Sequence, residues 1–311
     1  MFKGKEKTHW KDTRHNGRLY YKSYFNGGVR VCHIIHPIMN LDIPILPGDY
    51  SIPFSFKTPF GIPGSFQYSN GSAKASVKYK IGAILKGENE SLKGLEKIRL
   101  LQGITMEMAN TNLDKSIKMR TWCCFKKRNI KLNLNWLQDT YNPTQIADCL
   151  LEIDNTSSLL PVIEVSLSLV NAVRLQNNRG KTIFNSQTLC KNIYKVSVMP
   201  GEVLNGPNAL KLAMNLPEIT GQLVDRLSTH GKIIECCYFA RIRIKTEGLC
   251  KCCGDTPEIE SSFVIVPNVV DLPNTILPPT GWNPNVYEPV FLEYNERFES
   301  NKPLHLMEIK N

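Results

Sequence analysis

The stretch "LPGDYSIPFSFKTPFGIPGSF", Leu46 to Phe66, sets a strict alternation between two proline- and glycine-rich breaks. Tyr50, Ile52, Phe54 and Phe56 fall on one side, and Ser51, Pro53, Ser55 and Lys57 on the other. Successive side chains of a strand point to opposite faces, so a period of two predicts a half-buried β-strand here. Pro53 has no N–H to give a neighbour, which places that strand at an edge or a bulge. The TPFGIPGS that follows is turn chemistry. A strand closed off at both ends is one unit of a β-sandwich.

The same rhythm returns along the chain. Val77, Tyr79, Ile81, Ala83 and Leu85 oppose Lys78, Lys80, Gly82 and Ile84. Ile130, Leu132, Leu134 and Trp136 oppose Lys131, Asn133 and Asn135. Val165, Leu167 and Leu169 oppose Ser166 and Ser168, and Tyr238, Ala240, Ile242 and Ile244 oppose Phe239, Arg241, Arg243 and Lys245. Phe263 and Ile265 lead up to Pro267. Gly, Pro, Asn and Asp clusters separate these runs. Short strands with such turns predict an all-β chain of sandwiches rather than a parallel sheet with alternating helices. Ser91 to Gln102 has some helical spacing (Leu92, Leu95, Ile98) but continues as a strand pattern equally well.

A chain of 311 residues has room for about two domains. The pattern breaks at "RTWCCFKKR", Arg120 to Arg128, and restarts afterwards. This reading gives a first sandwich over 1–122, a linker at 123–128, a second sandwich over 129–267 and a proline-rich extended tail over 268–311. The formal net charge of +10 is carried entirely by residues 1–122; residues 123–311 balance to zero, and the tail from 268 stands at −3. A basic domain suits phosphates, acidic lipid or an acidic peptide. Lys74, Lys78 and Lys80 share one side of their strand, opposite Val77 and Tyr79, and are the candidate basic interaction face. No run of about 18 uncharged apolar residues occurs, so no transmembrane span is expected. The N-terminus is charged from its third residue, so no signal peptide is expected either. That places the protein in the cytosol or nucleus, with its 10 cysteines as thiols. The sequons at Asn70 and Asn155 are then incidental.

Taken in order, these segments resemble arrestin-domain proteins, the α-arrestin branch in particular. The match runs through KGKEKTHW (Lys3–Trp10), LPGDYSIPFSF, GIPGSF and ASVKYKIGAIL (Ala75–Leu85). It continues with YNPTQIADCLLEIDNTSS (Tyr141–Ser158), VMPGE (Val198–Glu202), LAMNLPEITGQL (Leu212–Leu223), IIECCYFARIRI (Ile233–Ile244) and SSFVIVP (Ser261–Pro267). The ordered set covers about residues 2–270. The resemblance implies two arrestin-type β-sandwiches in tandem and a non-enzymatic adaptor. Such an adaptor binds membrane-protein cargo or receptor tails and brings trafficking proteins to them. It works in the cytoplasm, at the surface of membranes or endosomes, and an anionic membrane surface is a further partner. Nucleic acid is not among the expected partners. The N-domain of that family begins with several strands before the KGKEKTHW equivalent. The expectation is therefore a first domain lacking its early strands, through a truncated reading frame or an alternative start. LPPTGW (Leu277–Trp282) stands where many α-arrestins carry PPxY, and no PPxY occurs. "EPVFLEYNERF", Glu288 to Phe298, resembles the short C-terminal strand that some arrestins fold back onto their basic N-domain. Val290, Phe291 and Tyr294 would supply an apolar grip, and Glu293 and Glu296 would face lysines.

Catalytic signatures are lacking. The six histidines, His9, His15, His33, His36, His230 and His305, show no metal-binding spacing, and no nucleophile elbow or phosphate-binding glycine loop occurs. His33 and His36 read as strand-end residues. No enzyme and no cofactor are expected. Cysteine is the richest alternative: Cys250, Cys252 and Cys253 in "GLCKCCGDT", with Cys236 and Cys237 one strand earlier, are zinc candidates. Cys123 and Cys124 beside Lys126, Lys127 and Arg128 resemble a palmitoylation site next to a basic patch; buried or linker thiols are the alternative. Two rivals to the adaptor remain: a structural scaffold subunit that uses its sandwiches only as interaction surfaces, and a zinc-binding or enzymatic protein.

Overall fold

The computed structural model describes residues 1–16, 19–38, 48, 52, 54, 56–87, 89–101, 111–121, 126–247, 257–268 and 290–294. Five strands open the chain: β1 (Phe2–Asn16), β2 (Leu19–Ile35), β3 (Phe66–Ser69), β4 (Ala73–Lys86) and β5 (Ser91–Ile98). They form one antiparallel sheet in the order β2-β1-β4-β3, with β5 continuing along β4 past β3. The ambiguous Ser91 segment is thus a strand; its partner, not its own periodicity, settles the matter, since every described residue of β5 except Ile98 is exposed.

Next come β6 (Thr111–Thr121), β7 (Lys126–Trp136), β8 (Thr140–Tyr141), β9 (Ile146–Asp154), β10 (Val162–Gln176), β11 (Thr182–Val198), β12 (Val203–Leu204), β13 (Leu210–Asn215), β14 (Thr229–His230), β15 (Ile234–Thr246) and β16 (Glu258–Ile265). They build two facing sheets, β12-β9-β7-β6 with β13 on β9, and β11-β10-β15-β16-β8 with β14 on β15. All pairs are antiparallel except β8 with β16. The two sheets close on each other where the Trp136 ring of β7 meets the Phe263 ring of β16 edge-on at 5.4 Å. Ile130, Leu132, Leu134 and Trp136 point into this core, as do Tyr238, Ala240, Ile242 and Ile244, all essentially buried. Between β13 and β14 lies the main helical stretch, short turns over Leu216–Ile219, Thr220–Leu223 and Val224–Arg226. A final strand, β17 (Val290–Tyr294), returns to the first sheet and pairs antiparallel with β2.

Two expectations change. The strand foreseen at Leu46–Phe66 is not one among the described residues: Ile52, Phe54 and Phe56 join no ladder, and Ile52 and Phe54 are 38% and 49% exposed. Pro53 has no N–H to give a ladder. Gly61 turns the chain at φ 74, a conformation that favours glycine. The segment nevertheless covers the sheet. Phe56 sets its ring 5.5 Å from Phe2, Ile62 is buried, and the Tyr79 hydroxyl donates to the Pro63 carbonyl.

The linker expected at 123–128 is the second correction. β6 and β7 pair from Thr111↔Trp136 to Thr121↔Lys126, so the last three residues of that segment are strand. Lys126, Lys127 and Arg128 are the first residues of β7, and β6 shares a sheet with the second half of the chain.

Both faces of β10 are covered: Ser166 and Ser168 are only 5% and 8% exposed. β10 is central, between β11 and β15, and the serines lie opposite Arg243 and Arg241. Long side chains beside short ones close the outer face. Asn155 is likewise buried and donates through Nδ2 to the carbonyls of Leu160, Val198 and Met199 at 3.0–3.1 Å. It ties two loops together.

Candidate functional site

β1 and β4 place a lysine field on one face of the first sheet. In β1, Phe2, Gly4, Glu6, Thr8 and Trp10 are buried, while Lys3, Lys5, Lys7 and His9 are exposed. In β4, Ala73, Ala75, Val77 and Tyr79 are buried, while Lys74, Lys78 and Lys80 are exposed. The register sets Lys3 opposite Lys80, Lys5 opposite Lys78 and His9 opposite Lys74. On the far side of β4, Lys97 of β5 stands opposite Lys80. On the far side of β1, Arg30 of β2 stands opposite Lys5.

Neighbouring strands lie about 4.8 Å apart, so these ammonium groups crowd together. Like charges directly across a ladder destabilise it. Among the described residues no carboxylate forms an ion pair with Lys3, Lys5, Lys7, Lys74, Lys78 or Lys80. The second unit is arranged differently. On its outer sheet face Arg241 pairs with Glu260, Arg243 with Glu258 at 2.8 Å and Lys245 with Glu164 at 3.7 Å. One sheet neutralises its charges across strands and the other accumulates them. The accumulation gives a positive surface that attracts anions and is screened by salt.

Lys74, Lys78 and Lys80 thus share a face, as the alternation indicated. Lys3, Lys5 and Lys7 were missed, although KGKEKTHW displays the same period of two. β17 lies at the edge of this sheet: Val290 pairs with Ile35, Phe291 with Ile34, Glu293 with His33 and Tyr294 with Cys32. The backbone of Glu293 therefore extends the row His33, Lys3, Lys80, Lys97. Glu296 lies outside the described residues, as do Cys123, Cys124, Cys250, Cys252 and Cys253.

The remaining zinc candidates do not converge. Cys236 and Cys237 are consecutive in β15 and point to opposite faces. Cys236 is fully buried beside Asn171 Nδ2 at 3.1 Å, and burial pushes its thiol up to about 12. Burial also pushes the Cys237 thiol up, reinforced by the neighbouring Glu235 carboxylate. Both are protonated at neutral pH, whereas metal binding and thiol attack require the thiolate. No group of three or more His, Cys, Asp or Glu is placed to hold a metal among the described residues. No helix among them is long and apolar enough to cross a membrane.

No family model matches this chain, and no curated protein matches it.

Proposed function

We propose that the chain is a non-enzymatic adaptor of arrestin type, which holds an acidic segment of membrane-protein cargo, or of a receptor tail, on the lysine face of its first sheet. The observation that carries this reading is the face itself: six exposed lysines, Lys3, Lys5, Lys7, Lys74, Lys78 and Lys80, on two adjacent strands without a carboxylate among the described residues to pair with them. The ordered motifs that resemble arrestin domains support it. So does the return of β17 to the edge of the same sheet. An acidic tail held there would compete with the cargo, its tether giving it a high effective concentration. The protein would act at the cytoplasmic face of membranes or endosomes and recruit trafficking proteins, with the anionic lipid surface adding to the attraction.

Each lysine near an anionic membrane contributes about 1 kcal/mol. Reversing three of them, Lys74→Glu, Lys78→Glu and Lys80→Glu, should weaken binding to phosphatidylserine vesicles in low salt by about a hundredfold or more. Unchanged binding would remove the role of the face. A pull-down from detergent-solubilised membranes separates the adaptor from a scaffold: integral membrane proteins should be enriched, and recovery of soluble subunits alone favours the scaffold.

A further inference from the structure

β1 carries lysines on one face and a single buried acid on the other. Glu6 has the same parity as Phe2, Gly4, Thr8 and Trp10, and its side chain is fully buried. Its carboxylate does not turn to its own sheet. Oε1 accepts the N–H of Lys232 at 3.0 Å, and Oε2 accepts those of Ile233 at 2.9 Å and Ile234 at 3.2 Å. These amides belong to the turn that joins β14 to β15 in the second unit. Gly231 completes the seat: a Cβ there would lie 2.6 Å from Oε1. The absence of a side chain at 231 is therefore what lets the carboxylate enter.

Weaker contacts surround this one. Thr8 Oγ1 donates to the Gln176 carbonyl at 2.7 Å, the Gly28 N–H donates to Asn178 Oδ1 at 2.8 Å, and Lys181 reaches Asp12 at 3.2 Å. All join the first sheet to the β10–β11 end of the second unit. Most are exposed or half-exposed, whereas Glu6 is sealed.

We infer that Glu6 is the pin of a joint between the first sheet and the second sandwich, seated in the amide nest of the β14–β15 turn. A carboxylate held away from water needs hydrogen-bond donors in its place, and these three amides supply them. Among the described residues no cation forms an ion pair with it. His230 of β14 pairs with Glu235 of β15 at 3.5 Å, and Glu235 is also held by Arg174 of β10 at 2.7 Å. The Lys232 side chain is exposed, Tyr79 of β4 is a neutral neighbour, and Lys5 and Lys7 on β1 point to the opposite face. Burial raises the Glu6 carboxyl above its ordinary range, while the three amide hydrogen bonds favour the carboxylate.

Hydrogen exchange of the full chain tests this. In Glu6→Ala the amides of Lys232, Ile233 and Ile234 should exchange at least tenfold faster, while those of Leu132 and Leu134 in the β7 core keep their protection. Gly231→Val, which leaves Glu6 intact but fills its seat, should do the same. Unchanged protection at 232–234 in both variants overturns the pin, and so does an equal loss in the β7 core.

Discussion

Lys5 of β1 stands directly across from Lys78 of β4, two like charges in register on an exposed face. Such a pair weakens the sheet it belongs to. Lys78→Glu replaces the repulsion by a cross-strand ion pair. The variant should unfold at a higher denaturant concentration, by about 0.5 kcal/mol, while losing affinity for an acidic peptide. Urea unfolding and peptide titration at low salt would show both changes. A variant that loses stability contradicts this account of the face.

The β17 strand leads to a second prediction. Removing residues 284–311 takes away the strand paired with β2. Binding of an acidic peptide or of anionic vesicles should tighten, and the gain should shrink as salt is raised, because the competition is electrostatic. Equal binding with and without the tail, at both salt concentrations, would leave β17 as a simple edge cover.

Glu235 predicts an acid transition. Hydrogen bonding from His230, and then from Arg174, holds its carboxyl down at about 2 against an ordinary value of 4.5. A depressed carboxyl contributes stability that is present above the ordinary value and is lost as pH falls from about 4.5 toward about 2. Glu235→Gln should therefore flatten the decline of stability over that window. At neutral pH it should cost about 3 kcal/mol, since Arg174 is left half-buried without its partner. Denaturant unfolding at pH 7 and pH 3 supplies both numbers.

The core of the second sandwich gives the largest effect on stability. Trp136 is 1% exposed and bridges two sheets through Tyr141 and Phe263. Trp136→Ala should cost about 3–5 kcal/mol, whereas Leu137→Ala, at a position 68% exposed, should change stability by less than about 0.5 kcal/mol. Their unfolding midpoints should differ accordingly.

Cys123 and Cys124 precede the basic start of β7. If both a lipid chain and the basic run serve as membrane signals, protein from cells should give a hydroxylamine-sensitive thiol signal in acyl exchange. Its absence would return these cysteines to ordinary thiols.

The alternation in the sequence was sufficient for the strands whose two faces meet different solvents. Val77 and Tyr79, Leu132 and Leu134, and Ile242 and Ile244 all turn inward as a period of two demands, because burial of one face is what that pattern encodes. Lys74, Lys78 and Lys80 were placed on one face by the same rule, and Lys3, Lys5 and Lys7 obey it too. What the pattern did not contain was who pairs with whom. The Thr111–Trp136 ladder takes in Lys126, Lys127 and Arg128, which local sequence marks as linker, because pairing depends on a partner strand that local composition does not name. The opening stretch alternates like a strand, yet its described residues Ile52, Phe54 and Phe56 join no ladder, and Phe56 packs on Phe2 instead. Ser166 and Ser168 became buried only because β10 is central to its sheet. Glu6 is the sharpest case. Its sequence shows an acid on the apolar side of an alternating strand, which signals something unusual and nothing more. Only the tertiary structure brings to it three amides more than 225 residues away, because a buried carboxylate takes its partners from whatever backbone the fold delivers there.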